Sequence, residues 1–149
     1  ALKFTHAYCD YIDVCNWIDK VKNKESITAE NINDLPLNLL SGQLLPYVQT
    51  DWLDSFKSDY TNSVLDMAIN LSKQEYIKGN NELLIQIANS MFAHDKTDEY
   101  ALILKCNTLY KQGRTSLAKT TFDTFCNEYK AMRNTNYTKT FNEVINCQL

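Results

Sequence analysis

Glycine occurs three times and proline twice in 149 residues. That scarcity argues against sandwiches, barrels, Rossmann folds and P-loops, which place glycine at turns and phosphate sites. Histidine occurs only twice, as His6 and His94, and there is no Cys-x-x-Cys pair. Cys9 follows His6 on one helical face, with Asp10 and Asp13 nearby, but nothing completes a His/Cys set at zinc spacing. A catalytic pairing of Cys126 with His94 has only composition behind it. Glu82, Asp95, Asp98 and Glu99 read as helix-start charges rather than as paired catalytic carboxylates. No apolar run is long enough to span a bilayer, and no signal peptide opens the chain. An enzyme, a metal, a cofactor and a membrane partner are therefore not expected.

Hydrophobic residues make up 44% and charged residues 22%, the ordinary balance of a globular domain. A chain of this length buries roughly 70% of its unfolded surface and folds without a staple. The five cysteines are odd in number and sit among apolar residues, as reduced thiols of a cytoplasmic protein would. The chain opens on Ala rather than Met, so a neighbouring domain is expected beyond it. The net charge is −3, whereas autonomous nucleic-acid-binding domains are usually basic. The charge is uneven: residues 1–110 hold 9 Lys/Arg and 15 Asp/Glu, a net of −6. Residues 111–149 hold Lys111, Arg114, Lys119, Lys130, Arg133 and Lys139 against Asp123, Glu128 and Glu143, a net of +3. That excess is either a solvated surface or a mildly basic face near a partner.

Apolar spacing of three and four residues predicts an all-α fold of about seven helices over 1–149. Phe4, Tyr8, Tyr11, Cys15, Ile18 and Val21 define a helix over about 4–23. Ser26 or Thr28 starts a short second helix ending near Gly42, and Pro36 to Pro46 forms an irregular connection. Asp51 caps a long third helix bearing Trp52, Phe56, Val64, Ala68 and Leu71, which runs to Lys78 with Gly79 left-handed beyond it. Asn80 or Asn81 opens the next helix, with Leu83, Leu84, Ile87, Ala88 and Met91 on its buried stripe. Thr97 caps another, which contains Leu102, Cys106 and Leu109 and stops at Gly113. Thr115 starts a helix with Ala118, Phe122, Phe125 and Tyr129, and a last one runs from about Asn136 through Phe141, Val144 and Ile145.

Gly79 and Gly113 are 34 residues apart, and at that offset Tyr76 matches Tyr110, Ile69 matches Ile103 and Leu83 matches Leu117. A 34-residue helix–turn–helix period is the tetratricopeptide signature, which places two such hairpins over 52–130. In the second copy Cys106 takes the usual small position, Ala118 the usual alanine and Phe122 the usual aromatic, so that the two helices of that hairpin cross closely with Ala118 buried between them. In a tetratricopeptide hairpin the first helices line a concave groove. On that register Asp66, Ile69, Lys73, Tyr76 and Ile77 face it from the first copy, and Tyr100, Ile103, Asn107, Tyr110 and Lys111 from the second. Tyrosine suits such a surface, with large contact area and a polar tip. The alternative is that another helix of the same chain covers these positions, because the N-terminal helix, through Tyr8, Tyr11 or Ile18, and the C-terminal helix both need a packing partner.

The order of these features resembles the bacterial transcriptional activator domain, the tetratricopeptide-like module that follows a winged-helix domain in antibiotic-pathway-type regulators. The resemblance covers nearly the whole chain. It runs from Tyr11-Ile12-Asp13-Val14 through Leu39-Leu40-Ser41-Gly42-Gln43-Leu44-Leu45-Pro46 to Asp51-Trp52-Leu53-Asp54. It continues over Tyr100 to Tyr129, with Gly113, Ala118 and Phe122, and closes at Tyr137-Thr138-Lys139-Thr140-Phe141. The resemblance implies a regulatory interaction domain whose partner is a protein: a neighbouring DNA-binding domain, another subunit as in a homodimer, or a regulator. The runner-up is a general tetratricopeptide scaffold that binds a peptide in its groove. These 149 residues carry no winged-helix segment, so direct DNA binding is not expected of them.

Overall fold

A computed structural model describes residues 10–23, 25, 28, 35, 42–45 and 47–149. Among the described residues the fold is all-helical, with seven helices and no strand. They are α1 (Asp10–Lys22), α2 (Asp51–Ser72), α3 (Glu75–Lys78), α4 (Asn81–His94), α5 (Glu99–Lys111), α6 (Thr115–Arg133) and α7 (Phe141–Ile145). No described helix is long and apolar enough to cross a membrane.

At the N-terminal end the expected stripe is only partly the buried one: Ile18 and Val21 are buried, Tyr11 and Cys15 are half-buried, and Val14 and Trp17 join the core instead. Val14, Trp17, Ile18 and Val21 form one buried stripe of α1, which packs on α2 around Tyr60 and Val64. Phe4 and Tyr8 lie outside the described residues, as does the short second helix apart from Thr28, Leu35 and Gly42, none of which is helical. Asp51 is the first residue of α2 rather than its cap. The capping position belongs to Thr50, whose backbone is extended and whose carbonyl accepts from Leu53 N–H. Trp52 is 77% exposed and Phe56 is also exposed, so only Val64, Ala68 and Leu71 of the expected stripe reach the core.

The long helix expected to run to Lys78 instead breaks after Ser72. The Ser72 hydroxyl donates to the Ile69 carbonyl at 2.7 Å and lies 2.7 Å from the Tyr100 hydroxyl. Lys73 and Gln74 close the end with N–H bonds to Asn70 and Leu71, and Gln74 turns extended before the single turn of α3. A hydroxyl that bonds to nearby backbone competes with the helical ladder. Gly79 is correspondingly right-handed (φ −76°), because the turn of α3 runs straight into the Asn80 cap of α4. Gly113 is the left-handed glycine (φ +75°). Around it Arg114 N–H reaches Leu109 O and Gly113 N–H reaches Tyr110 O, the paired bonds of a Schellman end.

Asn80 caps α4 by accepting from Leu83 N–H at 3.1 Å. Asp98, not Thr97, caps α5, accepting from Ala101 N–H at 2.7 Å. Thr97 is buried and donates to Asp95 through both N–H and hydroxyl. Helix α7 begins five residues later than Asn136, at a capping box in which Thr140 and Glu143 bond reciprocally. Asn134 ends α6 in the left-handed region (φ 55°). Tyr137 then folds back so that its ring centroid lies 5.0 Å from that of Phe125.

Helix α5 is the centre of the C-terminal half. It packs on α4, α6 and α7, and its residues 101–104 are all buried. A helix enclosed on several sides loses the one-sided pattern of a surface helix. Ala118 is fully buried, and the Cys106 thiol meets its carbonyl at 3.4 Å, so α5 and α6 cross closely there.

Candidate functional site

Tyr100, Asn107 and Lys111 recur on one face of α5 at spacings near two turns and one turn. The fold brings them together with Ser72 and Lys73 from the end of α2, Lys78 of α3, and residues 145–149. Between these elements lies a cleft of about 600 Å³. Lys73 sits over the Tyr100 ring, its Nζ 5.8 Å from the centroid. Asn107 Nδ2 donates to the Cys147 carbonyl at 2.8 Å, while its buried Oδ1 has no hydrogen-bond partner among the described residues. No Asp or Glu side chain lines the cleft. Lys78 pairs with the exposed Glu75 at 3.4 Å, whereas Lys73 and Lys111 have no ion pair among the described residues. The cleft is therefore basic, although the whole chain is acidic.

The remaining groove residues separate. Ile103 is 5% exposed and packs with Leu102, Cys106, Phe125 and Val144, so it belongs to the core between α5, α6 and α7. Ile77 is fully buried for the same kind of reason, beneath α3 against the α2–α4 core. Tyr76 and Tyr110 are exposed (41% and 45%), and neither lines the cleft. Asp66 is exposed and Ile69 half-buried.

The segment that walls the cleft is the C-terminal one, not the N-terminal helix. Tyr11 instead packs on α2, with ring centroids 5.9 Å from Phe56 and 5.6 Å from Tyr60. The sequence offered the C-terminal helix as one candidate cover but held no sign of the contact itself, because Asn107 donates to a backbone carbonyl that every residue type possesses. Half of the basic residues of 111–149 are engaged within the chain. Lys119 pairs with Asp123 at 3.9 Å, Lys139 with Glu99, and Arg133 donates to Thr97 Oγ1 at 3.3 Å.

Nucleophile chemistry finds little support in the thiols. Cys15, Cys106, Cys126 and Cys147 are free, and Cys9 lies outside the described residues with His6. Burial pushes the Cys106 thiol up to about 12. Burial, with Asp123 nearby, also raises Cys126, the reverse of thiolate activation. Among the described residues no group of three or more His, Cys, Asp or Glu could hold a metal ion. No family profile, curated protein or solved structure matches this chain.

Proposed function

We propose that this chain is a non-enzymatic regulatory interaction domain of a bacterial transcription regulator. Its pairs α2/α4 and α5/α6 act as tetratricopeptide-like hairpins that hold a neighbouring DNA-binding domain, a second subunit or another regulator in a cytoplasmic complex. One observation carries the reading. The cleft beside α5 already accommodates a protein segment, residues 145–149, and grips it through a backbone carbonyl. Contact of that kind accepts polypeptide with little regard to side chains. Lys73 and Lys111 add a preference for an acidic stretch.

Cross-linking of the complete gene product tests the proposal. Amine-reactive links from Lys73 and Lys111 to a DNA-binding domain or a second subunit are expected. The pair Lys73→Glu and Lys111→Glu should abolish regulated reporter expression without lowering the melting temperature. Unchanged regulation in that double variant overturns the reading. The same cleft supports the second reading, a scaffold for a separate peptide; loss of affinity for a short free acidic peptide, with regulation intact, would favour it.

A further inference from the structure

Lys105 leaves α5 one residue after Leu104, about 100° further round the helix, and so points away from the cleft described above. It enters a second cleft of about 390 Å³ where α4, α5 and α6 meet. That size lies in the range of small-molecule sites, roughly 300–1,000 Å³. Phe92 of α4 and Phe125 of α6 form its apolar walls, their ring centroids 6.3 Å apart.

The charges in this cleft do not balance. Lys96 and Glu128 pair with each other across its edge at 3.5 Å. Lys105 is half-buried, its Nζ lies 5.9 Å from the Phe92 centroid, and no carboxylate pairs with it among the described residues. Burial holds its ammonium below the usual lysine range. A partly desolvated charge beside apolar walls is costly until an anion meets it. Asn89 and Thr124, both exposed and each with a polar side chain, also line this space.

We propose that this cleft binds a small monocarboxylate with an apolar body. The carboxylate sits on the Lys105 ammonium, within reach of Asn89 and Thr124, and the body lies against Phe92 and Phe125. One unbalanced positive charge matches one negative charge, and the apolar walls disfavour a polyanion such as a nucleotide. Because the ligand would touch α4, α5 and α6 together, occupancy would brace the two halves of the helical stack and raise the melting temperature.

The test uses 4-phenylbutyrate and octanoate as probes, titrated into the protein by calorimetry and NMR, with 4-phenylbutyramide as the uncharged control. Saturable binding of at least one acid is expected, with shifts at Ala93 and Thr124. The amide should bind at least about tenfold more weakly. Lys105→Met should also weaken the acid by about tenfold or more, whereas Lys105→Arg should keep most of the affinity. In the unmutated sequence, with its lysines reductively methylated as NMR reporters, the Lys105 amine should titrate at higher pH once the acid is bound. The proposal is overturned if neither acid saturates, if the amide binds as tightly as the acid, or if the Lys105 amine is unmoved by binding. That last readout decides the matter even where Lys105→Met fails to fold.

Discussion

Asn107 donates from Nδ2 to the carbonyl of Cys147, so a side chain in the middle of α5 fixes a backbone atom forty residues later. This bond sets where the C-terminal segment lies in the basic cleft. Asn107→Ala should cost about 0.5–1.5 kcal/mol, the net worth of one such bond. It should also release residues 146–149, seen as sharper resonances and faster backbone motion in nitrogen relaxation. Unchanged relaxation would mean that Ile145 and the α7 core hold the segment without Asn107.

The two tyrosines of α5 should behave differently. Tyr100 is half-buried and its hydroxyl meets Ser72 at 2.7 Å, tying the end of α2 to α5. Tyr100→Phe removes that bond and leaves the buried Ser72 hydroxyl one partner short, a loss of about 0.5–1.5 kcal/mol. Tyr110 is 45% exposed, so Tyr110→Ala should stay within about 0.5 kcal/mol of the parent. Chemical denaturation of both variants checks the contrast, and a large loss for Tyr110→Ala would refute its surface placement.

Ala118 is fully buried where α6 crosses α5, with its carbonyl against the Cys106 thiol. Three added carbons have no room there. Ala118→Leu should cost roughly 1–3 kcal/mol through displaced neighbours. A melt showing no loss would place the crossing elsewhere.

Thiol reactivity should grade with burial. Cys15, Cys126 and Cys147 are partly exposed and Cys106 is buried, its thiol raised to about 12. Ellman's reagent at pH 8 should leave Cys106 unmodified in the native protein and modify it on unfolding. The linkage has a definite sign. A thiol raised from 9.0 in the fold favours the folded state below pH 9 and loses that contribution as pH rises toward 12. Alkaline unfolding of Cys106→Ala should therefore be displaced to higher pH relative to its own neutral stability.

The α7 cap should resist acid to below the ordinary glutamate range. Glu143 accepts from the Thr140 N–H and hydroxyl, which hold its carboxyl below the usual glutamate value of 4.5. A lowered carboxyl contributes stability above pH 4.5 and loses it as pH falls through the lower folded value. NMR titration should find the Glu143 midpoint below 4.5. The amide of Thr140 should move with it, and Glu143→Ala should abolish that movement. A Glu143 midpoint at or above 4.5 would mean that the capping box does not form in solution.

Local chemistry made the start of α4, the end of α5 and the start of α6 legible in the sequence, while the cap of α5 was read one residue early. Asn80 is a capping residue, Gly113 accepts a left-handed backbone, and each acts on atoms within a few residues of itself. The Thr140–Glu143 box was equally local, and reading it would have placed the start of α7 at Phe141 rather than near Asn136. The break after Ser72 had no such signal, since neither glycine nor proline stands at residues 70–78. It accompanies a bond to Tyr100, 28 residues away.

The candidate site divides along the same line. By itself the sequence determined that the chain is helical, that α5 carries Tyr100, Asn107 and Lys111 on one face, and that tyrosines recur at the 34-residue period. Helical spacing is enough for that, because a rise and a rotation per residue fix which side chains share a face. Only the tertiary structure decided that Ile103 belongs to the core, that Tyr76 and Tyr110 stand outside the cleft, and that the C-terminal segment walls it. A helix face becomes core or groove according to what packs against it. For α5 those neighbours are α4, α6, α7 and a backbone carbonyl at Cys147, brought there by burial of apolar surface that has no fixed sequence separation.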